Sequence, residues 1–280
     1  YGDYLLWSLF HSDVDDLMSK YNLVLLPLMN SFDLTDRNCV NALNRKYKLT
    51  GEWFKGVGQL NFRRGDITNL IHPRPTIHSV ISKEFFRRVD DLHFPVVFQS
   101  NATSMSTKGY AEGYEYIPEI SATLHEHPTV PFLWIDFGIT DRGHYDDNYY
   151  YGDTSLLNSL LDKYPNLFCS ITANSLNNKV INQKYLAEVV KKYKTRFMVG
   201  TSIIGKFDKK NAQKYKDEIK IIRQFLALID DANTCKLVSS ANAINFYNNS
   251  ANSPIIKGKE NEKIKIDAGL RDELQGKLTY

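Results

Sequence analysis

The sequence predicts an α/β protein in which helices cover a parallel sheet. Amphipathic stretches alternate with short apolar runs through the middle of the chain, and successive runs are about 30 to 35 residues apart, near the length of one strand–helix–strand unit. The runs are continuously apolar, which is typical of strands with helices on both faces. With 280 residues, of which 42% are hydrophobic, the chain can form the core of one large domain.

The first elements are predicted ahead of these repeated units. Residues 3–7 are predicted to form a strand, 13–21 a helix and 22–29 a buried strand. The stretch 38–47 has the pattern of a helix, and 56–62 that of another short strand. No third strand is therefore expected between Met29 and Gly56.

Four helix–strand units follow, each an amphipathic helix that leads into a short apolar strand. Cap residues precede the third helix, and a Pro at position 165 ends it. The units are 77–93 with 95–98, 114–127 with 131–135, 155–164 with 167–171, and 183–194 with 196–199.

The last part of the chain contains a long helix and a polar arm. Residues 208–229 place apolar side chains on one face and many lysines on the other, as in an outer helix of a domain. A further apolar stretch, 236–247, precedes the arm at 248–280, which is rich in Asn, Ser, Lys and Glu and contains a short predicted helix at 270–278.

Composition excludes several classes of protein. The formal net charge of +3 comes from 35 basic and 32 acidic residues, too even a mixture for nucleic-acid binding. The longest apolar stretch, 23–29, is far shorter than the ~20 residues of a membrane span. The three cysteines are widely spaced, which favours a reducing compartment over a disulfide framework.

Three segments resemble the amidohydrolase superfamily, in particular its branch of small-molecule hydrolases and non-oxidative decarboxylases. These are YPNLFCSI from Tyr164, KKYKTRFMVGT ending at Thr201, and SANAINFY ending at Tyr247. The resemblance implies an amidohydrolase-like (β/α)8 TIM barrel over residues 1–247. Since the third strand is missing from the pattern, we expect a barrel that is incomplete or distorted there.

The resemblance also implies one or two divalent metals at the strand ends, held by histidines and an aspartate. At those positions this chain carries residues of which only Asp136 is anionic. Amide and hydroxyl oxygens bind zinc poorly compared with imidazole. We therefore expect no metal centre. The positions are Leu5, Trp7, Gln59, Gln99 or Ser100, Asp136 and Ser202.

Two loops that follow predicted strands are further candidates. Arg63, after the strand at 56–62, would lie on the ligand-facing side and favours an anion site, although a structured loop explains the same residues. Arg142, His144 and Tyr145 belong to a loop after the strand that ends near Asp136, and a Tyr-, Asp- and Arg-rich loop suits recognition. A solvated loop packed by its own aromatic side chains is the simpler explanation of the second group.

The leading functional hypothesis is a degenerate amidohydrolase-like barrel that lacks the metal centre and acts as a binding or structural protein for a small molecule or a protein. The alternative is an active hydrolase or lyase with Asp136 as general base or ligand, and with one divalent metal such as zinc. A second alternative is a subunit of an assembly joined through 248–280.

Overall fold

The computed structural model describes residues 28–50, 54–62, 75–102, 116–138, 155–177, 181–201 and 209–248. The predicted strand at 3–7, the predicted helix at 13–21 and nearly all of the polar arm lie outside these residues.

The described strands form one parallel sheet in sequence order. Each strand pairs with the next, and Met29 bridges in parallel to Val57 at the start of the sheet. An order that never reverses is that of a (β/α) barrel, whereas doubly wound sheets reverse at a switch point. The strands are β1 (Val57–Asn61), β2 (Val96–Gln99), β3 (Phe132–Ile135), β4 (Leu167–Ile171) and β5 (Phe197–Val199).

Helices connect the strands, as the alternating pattern predicts. The predicted and observed bounds differ by a few residues. The helices are α1 (Cys39–Thr50), α2 (Val80–Asp91), α3 (Ile117–Glu126), α4 (Ser155–Lys163), α5 (Ala173–Leu176), α6 (Gln183–Lys192), α7 (Lys209–Ile229), α8 (Ala232–Lys236) and α9 (Asn242–Asn248), with a π-helical turn at Leu237–Ala241 joining α8 to α9.

The expected gap around the third strand is confirmed. Met29 lies directly beside Val57 in the sheet, and the described chain between them contains α1 in place of a strand. The described part of the sheet is thus compatible with a barrel that is incomplete at this point.

The outer face of the sheet forms the main hydrophobic core. Alternate strand residues such as Phe98, Phe132 and Trp134 point toward the helices and are fully buried. They meet apolar faces that the 3.6-residue period predicts, for example Phe85 and Phe86 on α2. Burial of such side chains contributes about 1.5 to 3 kcal/mol each and is the main stabilisation of the wall.

The inner face carries a second, smaller apolar cluster that α9 covers. Val97, Leu133 and Met198, each the second residue of its strand, pack with Phe246. The Phe168 and Phe246 rings lie 5.0 Å apart between centroids. Burial raises the pKa of the neighbouring Tyr247 to about 12. The cluster therefore closes the amino-terminal end of the inner face.

Three side chains tie that end of the wall together. The Asn166 amide donates to the carbonyls of Leu124, His127 and Val130. Arg196 donates to the carbonyls of Tyr164 and Leu167 and lies over the Phe168 ring. Asn242 donates to the carbonyls of Lys194 and Phe197.

All three tying residues belong to the segments on which the family resemblance rests. They are the Asn of YPNLFCSI, the Arg of KKYKTRFMVGT and the first Asn of SANAINFY. The resemblance is therefore carried by groups that hold the scaffold at the amino-terminal ends of the strands, away from the ends where barrels of this kind place their chemistry.

His127 belongs to the same end of the barrel. It follows α3, its ring packs edge-on against Phe86 at 5.7 Å, and it is buried. Burial lowers its pKa. Its neighbour Glu126 instead pairs with His78 and Lys83. The His-Glu-His sequence is thus a helix end whose members face different surroundings.

No described helix combines the length and the apolar character needed to cross a membrane. The cysteines Cys39, Cys169 and Cys235 are all free thiols.

Candidate ligand site at the inner rim

The carboxyl ends of the strands bring a row of polar side chains to the inner face. Side chains alternate across a strand, so residues two or four positions beyond the inner apolar cluster share its face. On β2 and β4 these positions follow Val97 and Phe168. With Asp136 at the end of β3, they form what we call the inner rim: Gln59, Asn61, Gln99, Asn101, Asp136, Ser170 and Thr172.

The β1 and β2 side of the inner rim is a row of amides. Gln59 Nε2 donates to Gln99 Oε1 over 2.6 Å and to Asn61 Oδ1 over 3.2 Å. Asn61 is the register partner of Gln99. Gln59 and Asn61 are exposed and Gln99 is half-buried, so this row is open to a ligand.

The β3 and β4 side contains a buried carboxylate. Asp136 Oδ1 accepts a hydrogen bond from the Thr172 hydroxyl over 2.8 Å and from its backbone N–H over 3.2 Å. The backbone N–H of Asp136 donates to Ser170 Oγ over 3.2 Å. Asp136 is 5% exposed, so the two strand ends are joined by a network that is shielded from water.

A left-handed turn sets the position of Asp136. β3, predicted at 131–135, ends at Ile135 as expected, and Asp136, Phe137 and Gly138 after it have φ values of 52°, 39° and 84°. Strand backbone requires negative φ. Gly138 has no room for a side chain, since a Cβ there would lie 2.4 Å from the Trp134 ring.

β5, predicted at 196–199, ends at Val199 as expected. Gly200 still donates to the Ile171 carbonyl over 2.9 Å, so the pairing with β4 continues one residue beyond the strand. Ser202 lies outside the described residues.

Ser100 and Asn101 directly follow the last residue of β2. The Ser100 carbonyl accepts from Trp134 Nε1 over 2.8 Å, and Trp134 belongs to the outer core. The Ser100 hydroxyl donates to the Asn101 carbonyl over 3.3 Å. Asn101 is only 4% exposed, and its Nδ2 is buried without a hydrogen-bond partner.

Sequence analysis missed four members of the inner rim: Asn61, Asn101, Ser170 and Thr172. Only the strand-end positions implied by the resemblance were considered there. The two-residue alternation of strands would have found them, since each follows an inward-facing position by two or four residues. Seven predicted site residues lie outside the described residues and stay predictions: Leu5, Trp7, Arg63, Arg142, His144, Tyr145 and Ser202.

The described strand-end residues do not fit the zinc-type centre that the resemblance implies. Gln59 and Gln99 bind each other, and amides are poor zinc ligands. Asp136 Oδ1 already accepts two hydrogen bonds from Thr172. Within the described ranges, no group of three or more His, Cys, Asp or Glu side chains could hold a metal ion.

The sequence itself matches no family model and no curated protein, but the fold is similar to that of solved structures. An uncharacterized TIM-barrel protein of Bordetella bronchiseptica superimposes with a TM-score of 0.58 at 13% identity, covering 86% of this chain and 73% of that one. A dihydroxybenzoic acid decarboxylase of Polaromonas sp. JS666, solved with bound manganese and the inhibitor 2-nitroresorcinol, gives 0.50 at 11% identity, covering 84% and 73%.

A probable 2-pyrone-4,6-dicarboxylic acid hydrolase of Acinetobacter baumannii gives a TM-score of 0.48 at 16% identity, over 83% of this chain and 76% of that one. Identities this low show shared architecture and leave activity open. The expected barrel scaffold is confirmed: the chain has the fold of TIM-barrel proteins such as these two.

Proposed function

We propose that this protein is a barrel that binds a polar ligand at the inner rim without the divalent metal centre of the amidohydrolase superfamily. The observation that carries the proposal is the 2.6 Å hydrogen bond from Gln59 to Gln99. These side chains stand where the resemblance implies metal ligands, and they bind each other as neutral amides.

The chemistry of the inner rim supports recognition more than hydrolysis. Amides both donate and accept hydrogen bonds, which suits them to orienting a ligand. Hydrolysis by this superfamily uses a metal to activate water. At the ends of β1 and β2 the corresponding positions are Gln59 and Gln99, whose amides offer such a metal neither a carboxylate nor an imidazole.

Metal content is the direct test. The full chain would be produced with zinc, manganese and iron in the medium, purified without chelator, and analysed for metals by mass spectrometry. We expect less than a tenth of an equivalent of each. Stoichiometric metal that is lost in Asp136→Asn would overturn the proposal, since that carboxylate is the only anionic side chain of the inner rim.

An active hydrolase or lyase built around Asp136 is the second candidate, favoured by one observation. Asp136 is a buried carboxylate at the carboxyl end of the wall, the end where (β/α) barrels place their catalytic residues. This candidate predicts that the wild-type protein turns over dihydroxybenzoate or a pyrone dicarboxylate. It also predicts that the Asp136→Asn variant does not. Equal, background-level rates in both proteins would dismiss these substrates.

Assembly through the arm at 248–280 stays a prediction. Truncation after Asn248, followed by sedimentation velocity, tests it. An unchanged number of subunits in the particle would discard it.

A further inference from the structure

We propose that the acidic stretch at residues 13–16 docks on a basic groove of α7, and that this contact closes the barrel wall between β5 and Met29. The inference goes beyond the proposed function, because it concerns how the barrel is completed and holds for any ligand of the inner rim. Five residues of α7 define the basic groove: Tyr215, Lys216, Ile219, Lys220 and Arg223.

The basic groove has a volume of about 620 Å³ and a row of cations along it. Lys216, Lys220 and Arg223 stand one turn apart, since four and three residues separate them. Like charges at these spacings repel and slightly destabilise a helix. Among the described residues, no carboxylate forms an ion pair with any of the three. The groove therefore favours an acidic occupant.

The two carboxylates nearest in sequence do not neutralise the groove. Glu218 is buried, and its carboxylate lies 3.7 Å from Lys214 Nζ. Asp217 accepts a hydrogen bond from the Gln213 amide over 3.0 Å. The positive charge of the groove thus stays available to another segment.

The basic groove lies on the flank of α7 that points toward the next unit of the barrel. The stripe of α7 that faces the core is buried: Glu218, Ile222, Phe225 and Ile229. Because each residue turns a helix by about 100°, Ile219 and Arg223, one position after a stripe residue, share one flank. With right-handed crossovers and a helix antiparallel to the strands, this flank faces away from the preceding unit, which contains α6.

The groove also has an apolar part that a second helix could cover. Tyr215 is 45% exposed and Ile219 is half-buried. The described helices that pack against α7 are α5, α6 and the short α8, and they leave this part exposed. In a closed barrel the helices form a ring, so the last helix also packs against the first. The first helix is therefore the expected occupant.

The predicted helix at 13–21 has the charges and the apolar residues that match the groove. Three of its first four residues are Asp. As a helix, it would place Asp13 and Asp15 about 100° to either side of Val14, so either flank presents a carboxylate to the lysines of α7. Its apolar residues have the i, i+3, i+4, i+7 spacing of one helix face: Val14, Leu17, Met18 and Tyr21.

The place of this stretch in the chain also fits. β5 pairs with β4, and no other described strand borders it. At the opposite end of the sheet, Met29 lies beside Val57. The predicted strand at 3–7, helix at 13–21 and strand at 22–29 make one strand–helix–strand unit that ends at Met29. A strand between Met29 and β5 leaves no open sheet edge, and its helix then follows α7 around the barrel.

Carbodiimide cross-linking tests the contact directly, because this reagent joins a carboxylate to an amine only where the two touch. The full chain, as an equal mixture of unlabelled and isotope-labelled protein, would be treated and digested, and joined peptides identified by mass spectrometry. We expect residues 13–16 joined to Lys216 or Lys220, with both halves from one isotope. Lys184, an exposed lysine of α6, is the control and should not be joined to them.

Charge reversal tests whether the contact stabilises the full chain. We expect Lys220→Glu with Arg223→Glu to lower Tm by about 2 °C or more, the scale of a few surface charge pairs in a chain of this size. Asp13→Lys with Asp15→Lys, added to that variant, should restore at least about half of the loss. Lys184→Glu is the matched control and should change Tm by less than about 1 °C.

The inference is overturned if residues 13–16 are joined to neither lysine, or if acidic residues of the arm at 248–280 are joined there instead. Joined peptides that combine the two isotopes would seat a second copy in the groove and would also overturn it. So would a Tm that the reversal of Asp13 and Asp15 does not restore. None of these outcomes depends on metal content, so the proposed function stands or falls separately.

Discussion

The Thr172 hydroxyl donates to the Asp136 carboxylate over 2.8 Å and so joins the carboxyl ends of β3 and β4. The Thr172 backbone N–H donates to the same oxygen. Asp136, the one carboxylate of the inner rim, therefore carries a negative charge and also accepts hydrogen bonds that join the strands. Mutation can separate the effect of the charge from that of the acceptor oxygen.

Replacement of Asp136 by Asn should leave the fold nearly intact, because an amide oxygen can still accept both hydrogen bonds. We expect Asp136→Asn to lose about 1 kcal/mol of unfolding free energy or less, and Asp136→Ala about 2 to 3 kcal/mol, the range for hydrogen bonds to a charged group. Urea unfolding measures both. Equal losses in the two variants would show that the charge, rather than the acceptor oxygen, holds the strand ends.

Replacement of Gly138 by Ala should be strongly destabilising. A Cβ at this position would lie 2.4 Å from the Trp134 ring, and φ is 84°. We expect a loss of about 2 kcal/mol or more, from strain and overpacking together. Gly200→Ala is the matched control, since nothing lies within 4 Å of a Cβ there; a similar loss in both variants would contradict the steric explanation.

Removal of the Phe246 side chain should uncover the inner cluster. Phe246 is 2% exposed and packs against Val97, Leu133 and Met198, so Phe246→Ala should cost about 3 to 5 kcal/mol. Ile244, on the same helix but 39% exposed, is the control, and Ile244→Ala should cost under about 1 kcal/mol. Chemical unfolding followed by circular dichroism gives both values, and comparable costs would show that α9 does not cover the inner face.

His127 should make stability fall as the pH is lowered from 7 toward 5. Burial lowers its pKa in the folded protein, while the unfolded chain takes up the proton near the ordinary value of about 6.5. The unfolded state then binds more protons, so stability is complete above about pH 6.5 and decreases below it, by at most about 1.4 kcal/mol per pH unit. Nearby Glu126 and Asp90 oppose the shift, whereas Arg87 and His78 add to it.

The control for the pH prediction is His127→Leu, which keeps an apolar contact with Phe86 and cannot take up a proton. Urea midpoints measured between pH 5 and 7 should change less in this variant than in the wild type. The prediction fails if the two profiles are parallel.

The scaffold was predictable from the sequence because its signals are local and repeated. Continuous apolar runs predicted β2, β3 and β4, and the 3.6-residue period predicted α2, α3 and α6. The turn after β3 was less predictable. Nothing in Asp136-Phe137-Gly138 by itself indicates three successive positive φ values, which arise from the packing of Gly138 against Trp134.

The candidate site was predictable only in part, for a related reason. Gln59, Gln99 and Asp136 were found because the resemblance points to strand ends. Asn101 was not, because an unpaired buried amide is a property of the folded surroundings and leaves no mark on the sequence.

The cover that Phe246 provides for the inner face also sets an order of events during synthesis. Val97, Leu133 and Met198 leave the ribosome before α9 does. Phe246 cannot cover these side chains until the chain beyond residue 246 has emerged. Contacts between residues so distant in sequence, such as Val97 and Phe246, also form slowly. Nascent chains that stall earlier present an apolar surface prone to aggregation, and among the described elements α9 is the one that covers it.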